Sequence, residues 1–159
     1  MARFAENTTV SVEKSRCEIE SILDRYGAES FVYATGPLGA MIQFDAKGRR
    51  VKFILPLPDR NDKVFGHKGI RNKPTSVEER YALWEQACRS RWRSLALAIK
   101  AKLETVECGI SEFEQEFLAH IINPATGRTV GEEVLPLIAE NYDDPESSRA
   151  LALPYFGGN

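Results

Sequence analysis

No run in these 159 residues is long and apolar enough to cross a bilayer. The longest, Leu95-Ala-Leu-Ala-Ile99, is closed by Lys100 and Lys102, where a spanning helix needs roughly 20 apolar residues. Residues Met1 to Glu6 carry no hydrophobic signal region, so the chain is expected to be made and kept in a cytoplasm. Cysteine is sparse. Cys17, Cys88 and Cys108 are scattered, odd in number and without CxxC spacing, which excludes a disulfide framework or zinc knuckle and leaves reduced thiols. Histidine is sparser still, with only His67 and His120. A GxSxG elbow is missing, so nucleophilic catalysis has no support. Gly66-His-Lys-Gly69 lacks the spacing of a phosphate loop. Glu116 and His120 are one helical turn apart, but no third ligand accompanies them. Adjacent acids at Glu132-Glu133 and Asp143-Asp144 would not face each other on a helix. We therefore assign no catalytic residue, metal or cofactor from sequence. A metal-dependent enzyme built from distant carboxylates stands only as the last of three readings.

What is present reads as a single α+β domain over residues 1–140, with an acidic linker and apolar tail over 141–159. Thr8 to Val12 alternates β-branched residues and is expected to be a short strand. Ile19, Ile22, Leu23 and Tyr26 mark one face of a helix over Glu13 to Tyr26. Ser30 to Thr35, Ala40 to Phe44 and Arg49 to Leu55 read as three antiparallel strands in a meander. The last two are joined by the turn Asp45-Ala-Lys-Gly48. Val51, Phe53 and Leu55 should point inward, and Arg50, Lys52 and Ile54 outward. Asp59 to Thr75 is a basic loop. Ser76 and Glu79 form a capping-box pattern opening a long amphipathic helix to Cys108. Its apolar stripe runs Val77, Tyr81, Trp84, Cys88, Trp92, Leu95, Ile99, Leu103, Val106. Shorter helices are expected over Ile110 to Ile122 and Thr129 to Glu140, the latter weakened by Pro136.

Charge is unevenly spread. Residues 1–46 hold four Lys/Arg against seven Asp/Glu, residues 47–102 fifteen against five, and residues 103–159 two against eleven. A basic middle and an acidic end point either to a polyanion-binding face or to halves that neutralise each other. The basic residues form two clusters. Lys47, Arg49, Arg50 and Lys52 sit on the hairpin, followed by the loop cations, of which Lys63, Lys68 and Arg71 are taken as site residues. Arg89, Arg91, Arg93, Lys100 and Lys102 lie on the long helix; Arg89, Arg93 and Lys100 share one side of it, and no acid occurs between Gln86 and Leu103. A solvated helix face normally mixes signs, so this run favours nucleic acid, single-stranded rather than duplex. Tyr33, Phe65 and Trp92 are candidates to stack on bases or to fill the core. The rival is a protein-interaction module whose acidic end, Glu104 to Glu146, meets a basic partner. Self-association is compatible with either.

Several stretches resemble an uncharacterised family of small phage- and prophage-encoded proteins: Glu13-Lys-Ser-Arg-Cys-Glu-Ile19, Phe53-Ile-Leu-Pro-Leu-Pro-Asp59, Arg91-Trp-Arg-Ser-Leu-Ala-Leu-Ala-Ile-Lys-Ala-Lys-Leu103, Phe113-Glu-Gln-Glu-Phe-Leu-Ala-His120 and Gly127-Arg-Thr-Val-Gly-Glu132. The resemblance implies a viral origin in a bacterial host cell and carries no activity. It frames the two main readings as a phage protein of recombination or replication and as a phage inhibitor of a host defence or host enzyme. The order of elements is also similar to the βββα core of single-strand annealing proteins. There a basic groove between sheet and helix holds the nucleic-acid backbone, which here implies Arg50, Lys52, Arg89 and Arg93 lining one groove.

Overall fold

The computed structural model of the chain describes residues 5–36, 39–68 and 73–143. The architecture is α+β, a three-strand antiparallel sheet covered on one face by helices. The first helix, α1, spans Val12–Arg25. The strand expected over Thr8 to Val12 does not form. The Thr8 hydroxyl accepts from the Val10 N–H at 3.2 Å, and the Ser11 hydroxyl accepts from the Lys14 N–H at 3.1 Å as the helix N-cap. Short hydroxyl side chains that bond locally in this way compete with strand pairing, and Val12 becomes the first helical residue.

Strands β1 (Ser30–Gly36), β2 (Gly39–Ala46) and β3 (Arg49–Leu55) follow in the order β1-β2-β3. The β2–β3 turn places both Lys47 and Gly48 at positive φ, 53° and 69°, which matches the right-handed twist of the flanking strands. At the other end Gly39 is required by space. A Cβ there would stand 2.3 Å from the Leu55 carbonyl oxygen. The register sets Phe31, Phe44 and Val51 in one inner row and Tyr33, Ile42 and Phe53 in the next. The alternate rows, Ser30–Asp45–Arg50, Val32–Gln43–Lys52 and Ala34–Met41–Ile54, form the outer face.

After β3 the expected loop is structured. A 3-10 turn (Lys63–Gly66) capped by Asp62 leads into a two-strand ribbon, β4 (His67–Lys68) against β5 (Lys73–Pro74). The long helix α2 spans Val77–Glu107, and both halves of its capping box are formed. At about 1.5 Å per residue it is far longer than the sheet it covers. Trp92, Leu95, Ala96, Ile99 and Leu103 are buried with Ile19 and Leu23 of α1 and the inner sheet face, and Cys88 is also buried. Val77 and Tyr81, expected on the inner stripe, are exposed, because the first turns of α2 run past the sheet.

The helix expected over Ile110 to Ile122 is shorter and broken. It comprises α3 (Phe113–Phe117) and a 3-10 turn (Leu118–His120). Ile121 and Ile122 are extended, because Ile121 bridges Val51 and the Ile122 N–H donates to the Arg50 carbonyl at 2.8 Å. Phe117 sits edge-on to both Phe44 and Phe53. The last helix, α4 (Val130–Asp143), continues through Pro136 and takes in Asn141 to Asp143, which were expected in the linker. The remainder of the linker and the tail, 144–159, lie outside the described residues.

Candidate functional site

Three of the four hairpin cations do not stand free; Lys47 is exposed with no acidic partner among the described residues. The Arg50 guanidinium forks onto the Asp45 carboxylate at 2.8 and 3.0 Å, across the β2–β3 ladder from it. This holds the Asp45 carboxyl below its usual range and raises Arg50. Arg49 is 3.5 Å from Glu114. Lys52 is 3.4 Å from Glu132, whose carboxyl is lowered first by the Thr129 backbone N–H and then by Lys52. Both acids come from the acidic C-terminal part of the chain.

Of the helix cations, Arg93 faces α1. On that side of α2 the Gln86 amide donates to the Glu6 and Thr8 carbonyls, both at 2.9 Å. The Arg93 guanidinium pairs with Glu18 of α1, and Glu104 accepts from the Tyr26 hydroxyl at 2.7 Å. Arg89 is bonded to the Gln86 carbonyl oxygen at 2.7 Å and paired with Glu85 at 3.1 Å. Lys100 alone of this set is exposed with no acidic partner among the described residues. Arg93 and its neighbours thus zip α1 to α2.

The two sets do not line one groove. Arg50 and Lys52 alternate with Val51 and Phe53, which are buried against the helices, so they occupy the outer sheet face while Arg89 and Arg93 lie beyond the inner one. The stacking candidates are also enclosed. Trp92 and Phe65 are buried. Tyr33 packs against Trp92 with ring centroids 5.5 Å apart and carries the Arg16 guanidinium 3.6 Å over its ring.

A different cation set is open. Between Arg60 and Val77 the sequence has five Lys/Arg and one acid, Asp62. Asp62 caps the 3-10 turn, accepting from the Val64 N–H at 3.0 Å. The 3-10 turn that leads into the ribbon packs against α2. Phe65 of this turn is buried, the Thr75 hydroxyl donates to the Phe65 carbonyl at 2.7 Å, and the Trp84 indole donates to the Pro58 carbonyl at 2.9 Å. Arg60, Lys63, Lys73 and Arg80 are all exposed. None of the four pairs with an acid among the described residues. Arg80 lies beside the ribbon, its Nη2 3.7 Å from where a Cβ on Gly66 would be. The Arg60 guanidinium stacks 4.8 Å over the ring of Tyr81, which is 43% exposed. Lys68 belongs to β4, and Arg71 lies outside the described residues.

Glu116 and His120 do not meet as ligands. Glu116 holds Lys102 at 3.4 Å, and His120 stacks on Phe53 with centroids 4.0 Å apart. Burial, and then the Lys102 charge, push the His120 imidazole below its usual pKa. Among the described residues no group of three or more His, Cys, Asp and Glu could hold a metal ion, and no helix is long and apolar enough to cross a membrane.

Sequence reasoning undervalued Arg60, Arg80 and Tyr81. The acid-poor stretch from Arg60 to Val77 was the available signal. The placement of Tyr81 at the uncovered end of an unbroken stripe had none. No protein-family model matches this chain, and no match is found among curated proteins or solved structures.

Proposed function

We propose that this chain is a non-catalytic nucleic-acid-binding protein that holds the phosphate backbone through its ribbon end. The observation that carries this reading is the contrast in pairing. Arg60, Lys63, Lys73 and Arg80 are exposed without acidic partners among the described residues, whereas Arg49, Arg50, Lys52, Arg89 and Arg93 are each paired with a carboxylate. Unpaired cations release counterions from a polyanion, and their binding is steeply salt-dependent. Beside them the Arg60–Tyr81 stack offers flat surfaces to an unpaired base, which favours single strands. A role in phage recombination or replication belongs to the same proposal. The test is binding of the purified chain to labelled single- and double-stranded DNA and RNA over a salt series. The expected result is affinity that falls linearly, on logarithmic axes, with salt and is higher for single strands. No binding even at low salt would sink the reading.

A second reading, a protein-interaction module, has its own support in α4. Its Leu135, Leu137 and Tyr142 are exposed, and Gly131 alone of its residues is buried. An inhibitor of a host protein would use such a face. Capture of one stoichiometric protein that survives nuclease treatment and is lost on Leu135→Lys would favour it.

A further inference from the structure

The two edges of the sheet are finished differently. Along β3 the edge is closed by Ile121 and Ile122. That strand also carries Arg49, Arg50 and Lys52 and stops at Pro56. Strand β1 likewise ends directly before a proline, Pro37, but has neither the charges nor, among the described residues, the covering segment. It pairs with β2 without a bulge from Ser30↔Asp45 to Gly36↔Gly39, and it contains no charged residue and no proline. Among the described residues its backbone bonds to β2 alone. Charges, prolines, bulges and covering segments are how natural sheets keep a free edge from pairing. Beside this edge the outer face is apolar, with Val32 46% and Ile54 56% exposed and Ala34 and Met41 between them in the ladder.

We infer that β1 is the docking edge for a second copy of this chain, the two strands pairing antiparallel about a two-fold axis at Tyr33 to give a continuous six-strand sheet. A two-fold pairing reads a strand against its own reverse. With the axis at Tyr33, Val32 lies across from Ala34, Phe31 from Thr35 and Ser30 from Gly36. Within the two strands no charge meets a like charge, and apart from Tyr33, which lies across from its own copy, each larger side chain meets a smaller one. The inner and outer alternation is preserved across the junction, so the two outer apolar rows join into one patch. Arg16, stacked on Tyr33, comes near its symmetry mate. Glu13 and Glu20, about one turn to either side of it in α1, supply the opposing charge.

Light scattering of the full chain over a wide concentration range tests this. The mass is expected to rise from 17.9 kDa toward twice that value. The double substitution Val32→Lys, Ala34→Lys sets a lysine of one copy across from a lysine of the other, and should hold the chain at monomer mass with unchanged melting. Leu135→Lys should leave the dimer intact. In the unmodified chain the Ser30–Gly36 amides should gain protection from hydrogen exchange as concentration rises, a readout that needs no variant to fold. A monomer at every concentration would overturn the inference. So would a dimer that survives the double substitution, or one that dissociates with Leu135→Lys.

Discussion

The cations of the hairpin and long helix differ from those of the ribbon in what surrounds them, and the difference shows how little a cluster of like charge means until its neighbours are placed. Arg50 and Arg93 belong to dense basic stretches, yet each meets a carboxylate from another part of the chain or the far side of a turn. The ribbon cations are fewer, but the nearest acids are used as caps. Asp62 bonds the Val64 N–H, and Glu79 accepts from the Ser76 N–H at 3.0 Å while the Ser76 hydroxyl donates to Glu78 at 2.8 Å. Capping satisfies the open amides at a helix start.

The sharpest way to break this contrast is charge reversal at Lys63, Lys73 and Arg80 together. Nucleic-acid affinity should fall on the order of a hundredfold at low salt, with the salt slope shallower by about three. Melting should be unchanged, since all three side chains are exposed. Next, Tyr81→Ala should weaken single-strand binding about tenfold, the size expected for one stacked base. Duplex binding should change little, and titration against both forms checks this.

On the paired side, Arg93→Ala should leave affinity untouched and cost about 1 kcal/mol of stability, the scale of a partly exposed ion pair. A double-mutant cycle with Glu18→Ala should recover that coupling. The smallest effect concerns pH. His120 is held neutral by burial and by Lys102. The unfolded chain therefore binds its proton first, and stability present above the unfolded value near 6.5 is lost as pH falls toward the lower folded value. His120→Gln should flatten melting temperature against pH across that window.

Much of the fold was legible because its signals are local. Arg49 to Leu55 forms a strand with those bounds, and Ser76 caps the long helix as its spacing with Glu79 implied. Three elements were not legible, each for a physical reason. Thr8 and Ser11 have strand-like neighbours, but their hydroxyls bond backbone amides within three residues. Ile121 and Ile122 continue a helical stripe but pair with Val51 and Arg50, a tertiary contact that overrides the local pattern. The ribbon is too short, at two residues per strand, to give a period. The candidate site was legible only as charge. Sequence could count the cations, but pairing of Arg93 with Glu18, 75 positions away, is decided by how α1 lies on α2.

The most direct test of the account is the salt dependence of single-strand binding in three proteins: the unmodified chain, the Lys63→Glu, Lys73→Glu, Arg80→Glu variant, and Arg93→Ala. The account predicts a steep slope for the unmodified chain and for Arg93→Ala, and a shallow slope with weak binding for the triple variant. Full binding by the triple variant, with affinity lost in Arg93→Ala while it remains folded, would contradict it.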